Sequence, residues 1–222
     1  MTTLLDTYRS NYSATQDAEI SLEEYLELCK QDPGAYASPA ERMLAGIGEA
    51  DLVDTRNDSR LARIFGNRVI RRYPAFSEFY GLEEAIEQIV SFFKHAAQGL
   101  EERKQILYLL GPVGGGKSSI AERLKAVMEA RPIYALKGSP VNESPLGLFS
   151  PDRFAAVLET DYRIPRRYLT GIMSPWAVKR LQEYNGDLSK FRVVRVNPSV
   201  LRQVMIADGR TQTAGTAVNH QP

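Results

Sequence analysis

A glycine-rich octapeptide that ends in lysine and serine limits the fold of this chain more than any other feature of its sequence. Residues 111–118 read GPVGGGKS and match G-x-x-x-x-G-K-[ST] at every fixed position. Such a loop turns successive backbone N–H groups toward a polyphosphate, in a geometry that side chains would obstruct. An apolar run, QILYLL, precedes it at 105–110, and a helical pattern follows at 119–130. The sequence therefore predicts a P-loop between a buried parallel strand and a helix.

The residue types of this loop predict its contacts with a nucleoside triphosphate. The positive end of the following helix would face the phosphates. Lys117 would place its charge at the β- and γ-phosphates and is the predicted catalytic residue, while the Ser118 hydroxyl would be a ligand of Mg²⁺. The expected cofactors are ATP and Mg²⁺. The predicted binding residues are Gly111, Pro112, Val113, Gly114, Gly115, Gly116, Lys117, Ser118 and Ser119.

Helix and strand patterns alternate around the loop. PIYAL at 132–136 predicts the next strand, so the order of strand, P-loop, helix and strand indicates a βαβ unit. FRVVRV at 191–196 predicts a further strand, and residues 174–184 predict a helix. The predicted fold class is α/β, a P-loop NTPase core with an incomplete parallel sheet over residues 75–206.

Residues 1–74 predict a smaller helical region ahead of this core. Capping boxes at Ser21–Glu24 and Ser38–Glu41 mark the starts of two helices. Residues 61–73 carry several arginines among apolar residues, which favours a solvated helix face; a surface for a partner or for nucleic acid is the alternative. The polar segment 207–222 has no apolar stripe to bury and is predicted to be a disordered tail.

Composition excludes several classes of function. The chain has 28 Lys and Arg against 27 Asp and Glu, so no global field predicts binding to nucleic acid or to a membrane. Two histidines and one cysteine cannot supply a zinc site, and Cys29 lies in a helical pattern that predicts a buried side chain. Neither a signal peptide nor an apolar run long enough to cross a bilayer is visible, so a soluble, cytoplasmic protein is expected.

Hydrolysis of ATP needs groups beyond the P-loop. In P-loop enzymes an acidic residue at the end of a second strand organises Mg²⁺. Glu159 is a candidate, but its segment FAAVLETD (154–161) has the spacing of a helix, and the predicted strand at 191–196 is followed by Asn197. The sequence therefore predicts a chain that binds ATP and is catalytically incomplete by itself.

Longer segments of the chain resemble one known family. YPAFSEFYGLEEAIEQIVSFFKHAAQGLEERKQILYLLGPVGGGKSSIAERLK, SPVNESPLGLF and IPRRYLTGIMSPWAVKRL closely resemble the N-terminal AAA-type domain of PrkA, the bacterial serine protein kinase family. The resemblance covers about residues 1–206. It implies that Phe79, Tyr80 and Gly81 border the adenine base. Full-length members of that family are much longer, so the resemblance also implies a truncated copy.

The resemblance leaves two functions open. The first is phosphoryl transfer from ATP to serine in a protein substrate, although the sequence contains none of the G-x-G-x-x-G, V-A-I-K, H-R-D and D-F-G motifs of eukaryotic-type kinases. The second is an AAA-type ATPase that remodels proteins or feeds them to proteolysis. AAA-type architecture also implies a homo-oligomer. A nucleic-acid-dependent ATPase is disfavoured by the balanced charge.

Overall fold

The computed structural model describes residues 19–198, and within them the chain forms seven α-helices and five short β-strands. The helices are α1 (Leu22–Gln31), α2 (Pro39–Ile47), α3 (Ser59–Phe65), α4 (Glu83–Ala97), α5 (Lys117–Glu129), α6 (Pro151–Tyr162) and α7 (Pro175–Glu183). The strands are β1 (Glu19–Ser21), β2 (Asp51–Asp54), β3 (Val69–Arg72), β4 (Ile133–Leu136) and β5 (Arg192–Val196). Short 3-10 turns lie between them at Pro33–Ala35, Thr55–Asn57, Pro74–Phe76, Glu101–Lys104, Pro145–Leu148, Arg166–Tyr168 and Leu188–Lys190.

The strands form two separate sheets, and every pairing is antiparallel. The larger sheet has the order β1-β5-β4, in which Ile20 is opposite Val193 and Ala135 is opposite Val194. The smaller sheet is the pair β2-β3. The strands predicted at 132–136 and 191–196 are therefore confirmed, but they pair with each other in antiparallel orientation.

The strand predicted at 105–110 does not form within the described residues. Its odd-numbered leucines, Leu107 and Leu109, are half-buried against the core, whereas Ile106, Tyr108 and Leu110 are 90%, 76% and 81% exposed. No backbone hydrogen bond joins this segment to a neighbouring strand in the described part of the chain. A strand needs a neighbour for its N–H and C=O groups, and none of the residues 19–198 lies alongside this segment as a strand. The described residues therefore contain an antiparallel sheet and an unpaired segment, and they do not confirm the predicted βαβ unit and parallel sheet.

Both predicted capping boxes are confirmed. The Ser21 hydroxyl accepts a hydrogen bond from the Glu24 N–H at 3.1 Å, and the Glu24 carboxylate accepts one from the Ser21 N–H at 2.6 Å. Ser38 and Glu41 repeat the arrangement at 3.3 and 2.8 Å. Each box satisfies two backbone donors that a helix start would otherwise leave unpaired, so α1 and α2 begin where the sequence predicts.

The prediction of one helix face over 61–73 is wrong in its second half. Helix α3 ends at Phe65, and Gly66 follows with φ at 69°, a conformation that favours glycine. The chain then enters β3, where Ile70 is buried and pairs with Val53 of β2. Arg68, just before β3, and Arg71 on it remain more than half exposed, and they form ion pairs with Glu84 and Glu87 of α4.

Two buried clusters hold these elements together, and each takes residues from both sides of Pro74. The first joins α1 to the larger sheet, α6 and α7, and the second joins α2, α4 and α5. The boundary near residue 74 stays a prediction from the sequence. Members of the second cluster are Met43, Ile47, Tyr73, Phe76, Phe79, Ile86, Ile89, Val90, Ile120, Leu124 and Val127.

The disordered tail predicted at 207–222 lies outside the described residues. Among the helices that the structure describes, none combines the length and the apolar character needed to cross a membrane.

The close approach of α2 and α5 makes a prediction about Gly46. A Cβ atom on this residue would lie 2.5 Å from Val127 Cγ1. We expect Gly46→Ala to lower the free energy of unfolding by about 1–3 kcal/mol, because overpacking outweighs the gain of about 1 kcal/mol in helix propensity. Urea denaturation measures the change. In a Val127→Ala background the same substitution should lower the free energy of unfolding by less. Equal losses in both backgrounds would rule out the contact between residue 46 and Val127 as the cause.

Cys29 supplies a second prediction. Its side chain is buried, as the sequence predicted, and burial raises the pKa of the thiol to about 12. Since the thiolate is the reactive form, Cys29 should not react with a disulfide reagent near pH 8 while the protein is folded, and should react once urea unfolds it. The exposed variant Lys179→Cys is the control that should react at once.

Candidate nucleotide-binding site

The glycine-rich loop leads directly into α5. Gly116 is the residue that caps this helix, with φ at 76°, and Gly114 has φ at 81°. Residues with a side chain rarely adopt these backbone angles. A Cβ atom on Gly116 would also lie 2.8 Å from Leu82 Cδ1, so a side chain here would displace that of Leu82 as well as strain the backbone. Two of the three consecutive glycines therefore use the conformational freedom that the motif predicted.

Lys117 closes the loop on itself. Its Nζ donates hydrogen bonds to the carbonyl oxygens of Gly111 at 2.7 Å and Pro112 at 2.5 Å. The Gly115 N–H donates to the same Pro112 oxygen at 3.2 Å. A bound phosphate would compete with these neutral carbonyls for the ammonium, and a charged acceptor forms the stronger hydrogen bond.

The helix behind the loop is anchored by its buried face. Ile120, Leu124 and Val127 lie in the second cluster, as their spacing predicted. Ser118 and Ser119 lie exposed in the first turn, where the backbone N–H groups have no partner within the helix. An exposed helix start of this kind suits an anion, so the loop and α5 together can bind phosphate.

The segment 79–82 lies beside the loop, because Leu82 is the side chain nearest to Gly116. Phe79 is buried and packs edge-on against Phe76, with ring centroids 5.9 Å apart. Tyr80 is 74% exposed, and Gly81 is also exposed with φ at 78°. Of the three residues that the resemblance places at the base, Tyr80 and Gly81 have surface available to a ligand, while Phe79 supports them from the core.

Two side chains in this region were not identified from the sequence. Arg123 of α5 donates from Nε to the Glu78 carboxylate at 3.0 Å and so connects the helix to the residues before Tyr80. Glu83, the first residue of α4, is 5% exposed, and its Oε2 atom has no hydrogen-bond partner within the described residues. The consecutive acids at 83 and 84 suit a helix start, and that pattern alone does not reveal which of them is buried.

The candidate acids for Mg²⁺ do not come to the end of a parallel strand. Glu159 lies on α6, as its spacing predicted, and its Oε1 accepts a hydrogen bond from the Arg166 N–H at 2.7 Å. Asn197 follows β5, whose neighbours are antiparallel. The structure therefore brings together the phosphate loop and the segment beside it, and gives neither of these residues the place of the second-strand acid.

The glycine loop, the helix behind it and the flanking segment lie together at one exposed place, and the sequence of the loop is that of a P-loop. The sequence model of the family described as "PrkA AAA domain" matches residues 20–215, and the chain belongs to this family. No solved structure matches the chain.

The chain is similar to the serine/threonine kinase YeaG of Escherichia coli (strain K12), with 62% identity over 208 residues. That match covers 92% of this chain and 32% of the relative. It is also similar to the ATP-dependent protease PrkA of Bacillus subtilis (strain 168), with 35% identity over 182 residues, which cover 78% of this chain and 26% of that protein. The chain thus spans about a third or less of the relatives that it matches.

The geometry of the loop predicts the effect of removing its lysine. Lys117→Ala should weaken binding of ATP with Mg²⁺ tenfold to hundredfold, because it removes a charge-assisted contact worth about 1.5–3 kcal/mol. Isothermal titration calorimetry measures the affinity, and circular dichroism should be unchanged. Lys125→Ala is the matched control, since Lys125 lies exposed on the same helix and pairs with Glu122. Equal affinities for wild type and Lys117→Ala would contradict the P-loop assignment.

Proposed function

We propose that this chain is the ATP- and Mg²⁺-binding part of a PrkA-like serine protein kinase. The observation that carries the proposal is the glycine loop, which leads into an exposed helix start with Lys117 at its centre. Membership of the PrkA AAA domain family supports nucleotide binding. The transfer of phosphate to a protein serine is proposed from the name of the Escherichia coli relative.

The residues of the loop fit a polyphosphate. Backbone N–H groups of Gly114 and Gly116 would hold the phosphate oxygens, and the Gly115 N–H would join them by leaving the Pro112 oxygen. Lys117 would exchange its carbonyl partners for the β- and γ-phosphates. The Ser118 hydroxyl, exposed in the first turn of α5, would hold Mg²⁺. When bound, the ion offsets the charge that develops on the phosphate oxygens during transfer.

The unpaired segment 105–110 supports a proposal about the fold. We propose that it is the P-loop strand of a parallel AAA-type sheet whose other strands are not among residues 19–198. Its alternating exposure, with Leu107 and Leu109 inward and Ile106, Tyr108 and Leu110 outward, suits a strand that is covered on its second face. The backbone N–H and C=O groups of residues 106–110 make no ladder hydrogen bond within the described residues, so a strand could pair with this segment on each edge.

The second candidate function is ATP-driven protein remodelling or proteolysis. The name of the Bacillus subtilis relative, an ATP-dependent protease, favours it. Both candidates use the same nucleotide site and a protein substrate, and they differ in the fate of the γ-phosphate. We further propose, from the sequence, that the protein is cytoplasmic and that its balanced charge leaves no role for nucleic acid. From the AAA-type family we propose that it forms a homo-oligomer.

A chimera separates the two candidates. Residues 20–198 of this chain would replace the matching segment of the Escherichia coli relative, which the 62% identity makes practicable. With γ-labelled ATP and casein, the kinase proposal predicts labelled phosphoserine on casein, and Lys117→Ala in the graft should reduce the labelling by at least tenfold. The Lys125→Ala graft is the control and should label normally.

The protease alternative predicts a different result in the same assay. ATP-dependent degradation of casein with no labelled serine would replace the kinase proposal with the protease alternative. Loss of ATP binding in the graft, measured beforehand by calorimetry, would contradict both, because both depend on the P-loop.

A further inference from the structure

Three arginines line one cavity at the end of α5 that lies away from the P-loop. The cavity has a volume of about 210 Å³ and contains Arg42 of α2, Arg131 just after α5, and Arg195 of β5 in its wall. Helix α5 has 13 residues, so at a rise of 1.5 Å per residue its two ends are roughly 20 Å apart. This cluster is therefore separate from the candidate nucleotide site.

The guanidinium groups are held in place by carbonyl oxygens. Arg42 Nη2 donates to the Arg131 oxygen at 2.6 Å and to the Pro132 oxygen at 3.2 Å. Arg131 Nη2 donates to the Ala45 oxygen at 2.7 Å. A guanidinium has five N–H donors, so these bonds leave most of the donors of both groups unused. The bonds position two of the three cations without neutralising them.

No carboxylate in the described part of the chain forms an ion pair with any of the three arginines. The two acids that line the cavity are engaged elsewhere: Asp32 accepts from the Gly34 N–H at 2.8 Å, and Glu41 accepts from the Tyr168 hydroxyl at 2.6 Å. Burial, followed by the nearby charge of Arg131, lowers the pKa of Arg42. The wall of the cavity thus carries three guanidinium groups against the carboxylates of Asp32 and Glu41, and Glu41 is already paired with Arg167.

Small residues leave room for a ligand at this point. Gly34, Ala35, Ala37 and Ala45 line the same cavity, and none of them has a side chain long enough to fill it. A planar guanidinium can offer two parallel N–H donors to the oxygens of a phosphate. A dianion with several oxygens matches three such groups better than a single carboxylate does.

We propose that Arg42, Arg131 and Arg195 form a binding site for a phosphomonoester dianion, either free phosphate or the side chain of a phosphoserine. The site is separate from the P-loop, so it does not depend on the proposed nucleotide chemistry. Arg42 and Arg131 also connect α2 to the end of α5, and occupancy of the cavity would stiffen that connection.

The test uses the 222-residue chain with Lys117→Ala, which weakens phosphate binding at the P-loop. Inorganic phosphate is titrated by calorimetry, followed by a phosphoserine peptide and the same peptide without phosphate. Arg195→Met removes one cation that has no hydrogen bond in the described structure, so the fold should be preserved. Arg192→Met is the matched control, because it removes the same charge from the opposite face of β5.

We expect saturable binding of phosphate that Arg195→Met weakens at least tenfold and Arg192→Met leaves within twofold. Tighter binding of the phosphopeptide than of free phosphate would identify a phosphorylated protein as the source of the ligand, and equal binding would identify the free anion. Absence of saturable phosphate binding in the Lys117→Ala chain, or equal losses in the two arginine variants, would overturn the proposal.

Discussion

The buried face of α5 is the contact on which the rest of the arrangement depends. Ile120, Leu124 and Val127 pack into the cluster shared with α2 and α4, and Val127 approaches α2 so closely that only glycine fits at residue 46. This packing fixes both ends of the helix at once. Its start carries the glycine loop against Leu82, and its end brings Arg131 within reach of Arg42. A site that must hold phosphate needs such support, because a loop of glycines has little rigidity of its own.

Local features of the sequence predicted local structure well. The capping boxes, the apolar stripe of α5 and the positive-φ glycines of the loop each depend on residues within one or two turns of one another. Such signals are read correctly because the interactions that produce them are close in sequence. The two strands at 133–136 and 192–196 were also recognised, since short β-branched and aromatic runs favour extended backbone.

Pairing between distant segments could not be predicted in the same way. The five apolar residues at 106–110 indicated a strand buried on both faces, yet only Leu107 and Leu109 contact the core. The pattern of apolar residues in a segment indicates which face can be buried. It does not indicate whether another strand lies beside the segment to pair with it. For the same reason the ion pairs of Arg68 and Arg71 with α4, and the cavity arginines, became visible only when distant residues were placed side by side.

The two hydrogen bonds of Lys117 explain how one residue can serve the loop with and without a ligand. The Lys117 ammonium donates to the carbonyl oxygens of Gly111 and Pro112, and these bonds hold the loop closed. The half-buried ammonium therefore has hydrogen-bond acceptors without a ligand. These acceptors are neutral, so a phosphate that enters the loop offers a stronger, charge-assisted bond in exchange. The free energy gained on binding phosphate is then the difference between the two sets of hydrogen bonds. Little conformational entropy is lost on binding, because the loop is already closed. The exposed segment at Tyr80 and Gly81 lies beside that loop through Leu82, so the helix start that we propose to hold the phosphates would also fix where the rest of a nucleotide lies.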